Sequence, residues 1–218
     1  MLYNYEKEYK EAYKKNICLA EQHLEAGKLD DKINKFCAFH GFNKDLVISE
    51  IKRSDIVKAK FAIDPKKQNF YEKKASEWIQ SIKKIGDFEN LPNRALWVIN
   101  GGVMTKREKE KFGSVAQAKT IDFKWRYAGK IFYASHKYTK VSGGTQGSQY
   151  KDLRSFIVEA NKSVQRDTFF IAIADGEFYQ QTDKEAGVKR IQRLKNEANR
   201  KTVFSCAINE LEQLLQDI

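Results

Sequence analysis

Asp122 and Lys137 are the two residues of this chain whose types and spacing best suit joint chemistry. Asp122 lies in Thr120-Ile121-Asp122-Phe123-Lys124-Trp125, where Ile121, Phe123 and Trp125 alternate with Asp122, Lys124 and Arg126. Lys137 ends the aromatic and β-branched run Ile131-Phe132-Tyr133-Ala134-Ser135-His136-Lys137. This pattern predicts two adjacent strands joined by a turn at Ala128-Gly129-Lys130. Side chains alternate across a strand, so Tyr133, Ser135 and Lys137 share one face while Ala134 and His136 share the other. A carboxylate beside a lysine suits phosphodiester hydrolysis. The acid can hold a divalent cation against the phosphate, and the lysine can position or activate water and offset developing negative charge.

A second acid has to come from another element. Asp64-Pro65 is a helix-start signal, and the segment it opens carries an apolar stripe of Phe70, Ala75, Trp78 and Ile79 bordered by Gln68, Tyr71, Glu72 and Lys73. Such a helix can lean Glu72 over the sheet edge; the alternative is a Glu72 paired with a neighbouring lysine on a solvated face. Asp152, and after it Glu159, are further candidates on the helix that follows the hairpin. The intervening segment, Tyr138 to Gln149, holds Gly143, Gly144 and Gly147 and reads as a backbone-dominated loop whose N–H groups can approach a phosphate. Ser148 would cap a helix through Leu153, Phe156, Ile157 and Ala160. Gln146 and Gln149 would point toward whatever the loop touches, since glutamine can pair with an adenine edge or bind phosphate. An ordinary turn with a capped helix is the alternative reading.

This layout resembles the PD-(D/E)xK nuclease superfamily and, within it, the Type II restriction endonucleases. In that pattern an Asp opens one strand and an acid-x-Lys triplet follows on the next. Asp122 and Ser135-His136-Lys137 fill those places, with twelve residues between Asp122 and Ser135. Ile121 stands where the family has proline, and Ser135 stands where it has Glu or Asp. Serine is an uncharged, weak metal ligand, so the resemblance implies a carboxylate displaced to a neighbouring helix, as in some restriction enzymes, with Glu72 as first candidate. A rival alignment uses Asp122-Phe123-Lys124 as the acid-x-Lys triplet and needs an acid upstream. The resemblance further implies Mg²⁺ held by Asp122, Glu72 and the backbone carbonyl of His136, with Lys137 orienting or activating the attacking water and Ser135 binding a water of the cation. It implies double-stranded DNA as partner, and the Gly-Gly and Gln-rich segment just past Lys137 adds to the likeness, since several restriction enzymes carry one past the catalytic lysine; Lys140, Ser142, Gly144, Gln146 and Gln149 are the candidate DNA contacts. A palindromic site is read most economically by a two-fold dimer, so a homodimer is expected. Two other functions stay open: a structure-directed repair or recombination nuclease with the same site, and a DNA-binding protein that lost catalysis at Ser135.

Composition agrees with a polyanionic partner. Forty Lys and Arg against 29 Asp and Glu give a formal charge of +11, which favours encounter with DNA and makes affinity salt-dependent. No run of about eighteen apolar residues is present, which excludes a membrane-spanning helix on length. The charged amino terminus, Met1 to Lys15, lacks an apolar signal segment, so secretion is not expected. Cys18, Cys37 and Cys206 are odd in number and far apart, which points to reduced thiols in a cytoplasmic protein and gives no support to a cysteine-bound metal.

The elements that must position these residues divide into a helical front, residues 1–60, and an α/β body, residues 61–218. The fold expected from the resemblance is a restriction-endonuclease-like core with a mixed β-sheet flanked by helices. In front, helices are predicted over Tyr3 to Glu25, Asp31 to Phe39 and Lys44 to Lys52, with a turn at His40-Gly41-Phe42-Asn43 that can imitate a helix-turn-helix or merely pack on another surface. In the body, Arg94 to Asn100 reads as a buried strand ending at Gly101-Gly102, and Thr168 to Ala174 as a central strand covered on both faces. Asp175-Gly176 closes that strand in a turn. A basic helix from Arg190 to Asn199, a strand from Thr202 to Cys206 and a helix from Ala207 to Leu215 complete the body. Lys189, Arg190, Arg193 and Arg200 form a positive stripe, either a phosphate contact or a solvated face.

Overall fold

The structure, a computed structural model, describes residues 3–65, 69–111, 118–140 and 144–218, with the side chains of 144–146 outside the description. The chain divides into two compact units, Asn4–Tyr71 and Glu72–Ile218, the second including Tyr3. Among the described residues no helix is long and apolar enough to cross a membrane.

The first unit is helical. Where one helix is expected from residue 3 to 25 there are two, α1 (Tyr5–Cys18) and α2 (Ala20–Glu25), parted at Leu19; α3 (Asp30–His40), α4 (Lys44–Arg53) and α5 (Asp55–Phe61) follow. The side chains of Asn4, Asn43 and Ser54 accept from open N–H groups in the first turns of α1, α4 and α5. Gly41, with φ at 72°, ends α3 in the left-handed conformation that glycine adopts most cheaply. Leu29, Ile33, Val47, Ile51 and Phe61 give this unit its own core.

The body contains α6 (Phe70–Ser81), β1 (Gly86–Asn90), β2 (Leu96–Ile99), β3 (Gly102–Thr105), α7 (Lys106–Lys111), β4 (Lys119–Thr120), β5 (Phe123–Tyr127), β6 (Lys130–Tyr138), α8 (Gly144–Ala160), β7 (Thr168–Asp175), α9 (Glu177–Gln180), α10 (Arg190–Glu197) and β8 (Val203–Cys206). A 3₁₀ turn at Ile208–Glu210 and α11 (Leu211–Asp217) end the chain. The strands form a five-stranded mixed sheet, ordered β1-β5-β6-β7-β8, and a three-stranded antiparallel sheet, β3-β2-β4. In the larger sheet β1, β5 and β6 are antiparallel neighbours while β6, β7 and β8 run parallel. The fold is therefore α/β, with helices between the parallel strands.

Both tight hairpins turn in two residues of positive φ, Ala128-Gly129 between β5 and β6 and Asn100-Gly101 between β2 and β3. Such turns match the right-handed twist of paired strands. α8 buries Tyr150, Leu153, Phe156, Ile157 and Ala160, a helical stripe that packs on Phe170, Ala172 and Ala174 of β7 and also on Val98 of β2 and on Ile121. The opposite face of the larger sheet carries a ladder of rings, Trp125, Phe132, Phe169 and Phe204, with successive centroids 5.6, 5.1 and 6.5 Å apart across four strands. All of β7 is buried, as its continuous hydrophobicity requires.

Three local expectations need correction. α6 begins at Phe70, and residues 66–68, between it and the expected start at Asp64-Pro65, lie outside the described residues; Asp64 accepts a hydrogen bond from the Tyr9 hydroxyl at 3.2 Å within the helical unit. The expected loop from Tyr138 to Gln149 gives way to α8 at Gly144, so Ser148 lies inside the helix and not at its start. The supposed strand from Thr120 to Trp125 is two strands of different sheets. Ile121 N–H still bonds Leu96 of the smaller sheet at 3.0 Å, whereas Asp122 N–H bonds the Ala134 carbonyl of the larger sheet at 2.8 Å.

Candidate functional site

Asp122 occupies the step between the two sheets, held by its backbone on both sides: its N–H on Ala134 and its carbonyl on the Leu91 N–H at 2.9 Å. The β5–β6 register pairs Phe123 with Ala134, so Asp122 comes opposite Ser135. Its Oδ2 accepts three hydrogen bonds, from Ser135 Oγ at 3.2 Å, from the His136 N–H at 2.8 Å and from Lys137 Nζ at 3.2 Å. One oxygen is thereby saturated and fixed. Oδ1 accepts no hydrogen bond from a described residue. The Asp122 and Lys137 side chains retain 15% and 24% of their exposure, enough for a ligand to reach a pair otherwise shielded by the protein.

Glu72, in the first turn of α6, is brought to the same place. Burial pushes its carboxyl above the usual range, and the neighbouring charge of Asp122 pushes it the same way; Lys137 and then His136 oppose the shift. It makes no hydrogen bond or ion pair with a described residue. A half-buried carboxylate raised by a second carboxylate is a group that a cation would relieve. Among the described residues no ion pair joins Glu72 to a neighbouring lysine, and Lys74 pairs with Glu77 at 2.8 Å.

His136 connects this face to the sheet beneath it. Its N–H points at Asp122, and since a strand residue turns its N–H and C=O to the same edge, its carbonyl faces that edge too. Its ring lies on the other face, buried, with Nε2 3.1 Å from Asp175 Oδ2. Asp175 Oδ1 accepts the Ile208 N–H at 2.9 Å, and its carbonyl accepts the Thr139 N–H at 2.8 Å. The parallel β6–β7 register puts Asp175 two positions beyond the residue paired with His136, hence on the same face. Asp175-Gly176, expected as a plain turn, thus anchors the end of β6. Gly176 has φ at 103°, and a Cβ there would stand 2.1 Å from the Thr139 carbonyl oxygen.

Other expected site residues are placed elsewhere. Asp152 pairs with Lys119 at 2.7 Å. Buried Glu159 accepts the Asn100 N–H at 2.7 Å and the Lys162 ammonium at 2.6 Å, which fixes the β2–β3 turn. Gln149 Oε1 accepts a hydrogen bond from the Thr139 hydroxyl at 2.7 Å, which ties the side chain to the end of β6. Lys140 is exposed just past β6, and Gly144 opens α8. Ser142 and the side chain of Gln146 lie outside the described residues. Lys124, the lysine of the rival triplet, bonds Glu89 of β1 at 2.6 Å instead of Asp122. The late positive stripe is engaged within the body: Arg193 meets Asp183, Glu185 and Glu197, and the Arg190 guanidinium lies 4.0 Å from the Phe178 ring centroid.

The donor set suits one small divalent cation: Asp122 Oδ1, the Glu72 carboxylate and the His136 carbonyl, all hard oxygens. It is a sparse set, for among the described residues no three His, Cys, Asp or Glu side chains gather into a metal-binding group. No protein-family model, curated protein or solved structure matches this chain.

Proposed function

We propose that the chain is a Mg²⁺-dependent endonuclease of double-stranded DNA, of the Type II restriction kind within the PD-(D/E)xK superfamily, acting as a homodimer. The observation that carries this reading is an anchored Asp122 with Lys137 bonded to it, near enough to a half-buried Glu72 for both charges to act on its carboxyl, with Glu72 in no ion pair among the described residues. Asp122 and Glu72, with the His136 carbonyl, would hold the cation. Bound there, Mg²⁺ would polarise the scissile phosphate and offset its developing charge. Lys137 orients the attacking water and stabilises negative charge on the phosphate oxygens. Ser135, donating to Oδ2, positions the Asp122 carboxylate in place of supplying the acid usual there.

The test is incubation of the purified protein with unmodified phage DNA, with Mg²⁺ or with chelator, followed by electrophoresis. Discrete, Mg²⁺-dependent bands are expected; a smear would point to a structure-directed or nonspecific nuclease. Asp122→Ala and Lys137→Ala should each lower cleavage by about a hundredfold or more while preserving DNA binding. A second reading, a catalytically silent DNA-binding protein, is favoured by the hydroxyl of Ser135 where a third ligand would stand. It predicts intact DNA, a salt-sensitive mobility shift and no effect of either substitution.

A further inference from the structure

A cleft of about 1020 Å³ opens beside the three-stranded sheet, lined among others by Arg94, Trp97, Lys106, Lys109 and Thr120. Its basic wall is built by α7. Thr105 and Glu108 form a reciprocal cap: the Thr105 N–H donates to Glu108 Oε2 at 2.8 Å, and the Glu108 N–H donates to Thr105 Oγ1 at 3.4 Å. That cap starts the helix at Lys106 and sets Lys106 and Lys109, three residues apart, on one side of it. Lys109 Nζ lies 4.7 Å from the Trp97 ring centroid. Trp97 is 5% exposed, so its ring offers no open face for a base to stack on. Arg94, outside α7, is exposed and also lines the cleft, with φ at 62°. The one acid among the described lining residues, Glu110, faces Lys106 at 3.9 Å in an exposed pair that costs little to separate. What remains is positive charge without a base-reading surface, the character of a phosphate contact.

The cleft is also close to the chemistry. Thr120 lines it, and Asp122 is two residues further along extended chain, about 7 Å at strand spacing. Phosphates of one strand succeed each other at about 3.4 Å of helix rise, so the Thr120 edge of the cleft lies within about two nucleotides of a phosphate held at Asp122 and Lys137. We infer that Arg94, Lys106 and Lys109 form a clamp on the duplex backbone beside the scissile phosphate. This rests on the nuclease reading for its register, although its charge chemistry does not depend on catalysis.

The experiment measures binding of a labelled duplex by fluorescence anisotropy, in chelator, across a salt series. Arg94→Ala/Lys106→Ala/Lys109→Ala should reduce the log–log salt slope by about two to three and weaken low-salt binding by about tenfold or more. A charge-matched control, Lys184→Ala/Lys189→Ala/Lys201→Ala, removes three exposed lysines near α9 and α10 and should change the slope by less than about one. The charge-preserving Arg94→Lys/Lys106→Arg/Lys109→Arg should bind like the native chain. Should the alanine triple fail to fold, Lys106→Ala alone, at a side chain 75% exposed, should lower the slope by about one. An unchanged slope in the cleft variants, or an equal loss in the control, overturns the clamp. Cleavage of the same duplex with Mg²⁺ separates the two readings. Native protein that cuts while the cleft variants keep its slope removes the clamp alone, whereas native protein that never cuts but loses binding with the cleft leaves the clamp and removes the nuclease.

Discussion

At the scale of residues, the site rests on an unequal treatment of carboxylate oxygens. Asp122 has one oxygen fixed by three donors and one left for a ligand, while Glu72 has neither oxygen engaged by a described residue. The raised Glu72 carboxyl makes a test by pH. A carboxyl whose pKa is higher folded than unfolded holds its proton more tightly in the folded chain. Its contribution is most favourable below the ordinary glutamate range and is lost as pH rises through that range to the raised value. Near neutral pH the ionised Glu72 is a net cost, so Glu72→Gln should raise Tm there and leave it unchanged below about pH 4. Under the proposed function Mg²⁺ should raise the Tm of the native chain and do so far less in Glu72→Gln; equal shifts in both would remove Glu72 from the proposed cation site. The placement of Asp122 beside Lys137 was legible because strand alternation constrains which way a side chain faces. The His136–Asp175 pair was not, since it depends on a parallel register between strands 39 residues apart in sequence.

At the scale of elements, periodicity identified strands without saying which sheet they join. Ile121, Phe123 and Trp125 alternate without interruption, yet their backbone partners change between 121 and 122. Alternation records burial and is blind to hydrogen-bond partner. The same rule explains β7, whose unbroken apolar run was readable because every position is covered. Asn100-Gly101 was a missed local signal: an Asn-Gly between apolar runs marks a two-residue hairpin, which predicts β3 and the start of the cleft. The glycines near residue 144 misled in the opposite direction, since a glycine costs a helix only about 1 kcal/mol and α8 recovers more than that by burying Tyr150, Leu153, Phe156 and Ile157. At Gly176 the requirement is steric. Gly176→Ala should destabilise the body by about 2 kcal/mol or more, read from a denaturant midpoint, because the added Cβ displaces Thr139 and with it the end of β6.

At the scale of the whole molecule, the excess of positive charge is the property that any nucleic-acid partner would meet first. It is unevenly available. Around α10 the arginines are spent on acids and an aromatic ring, whereas at α7 the lysines border an open cleft. Duplex affinity in chelator should fall by about a thousandfold between roughly 50 and 200 mM salt if six or so phosphates are contacted, and a flat response would remove DNA from the partners. Total charge was plain from composition. Its distribution was not, because pairing with Asp183, Glu185 and Glu197 is a product of the fold.

The change of sheet between Ile121 and Asp122 has a mechanical side. Adjacent peptide groups are tied to different layers, one to Leu96 and the other to Ala134, with no slack residue between them. Any sliding of the small sheet against the large one must rotate this peptide and swing the carboxylate it carries. Asp122 is thus a coupling pin, and a load on the β2–β4 layer is felt at the acid as a change of aim.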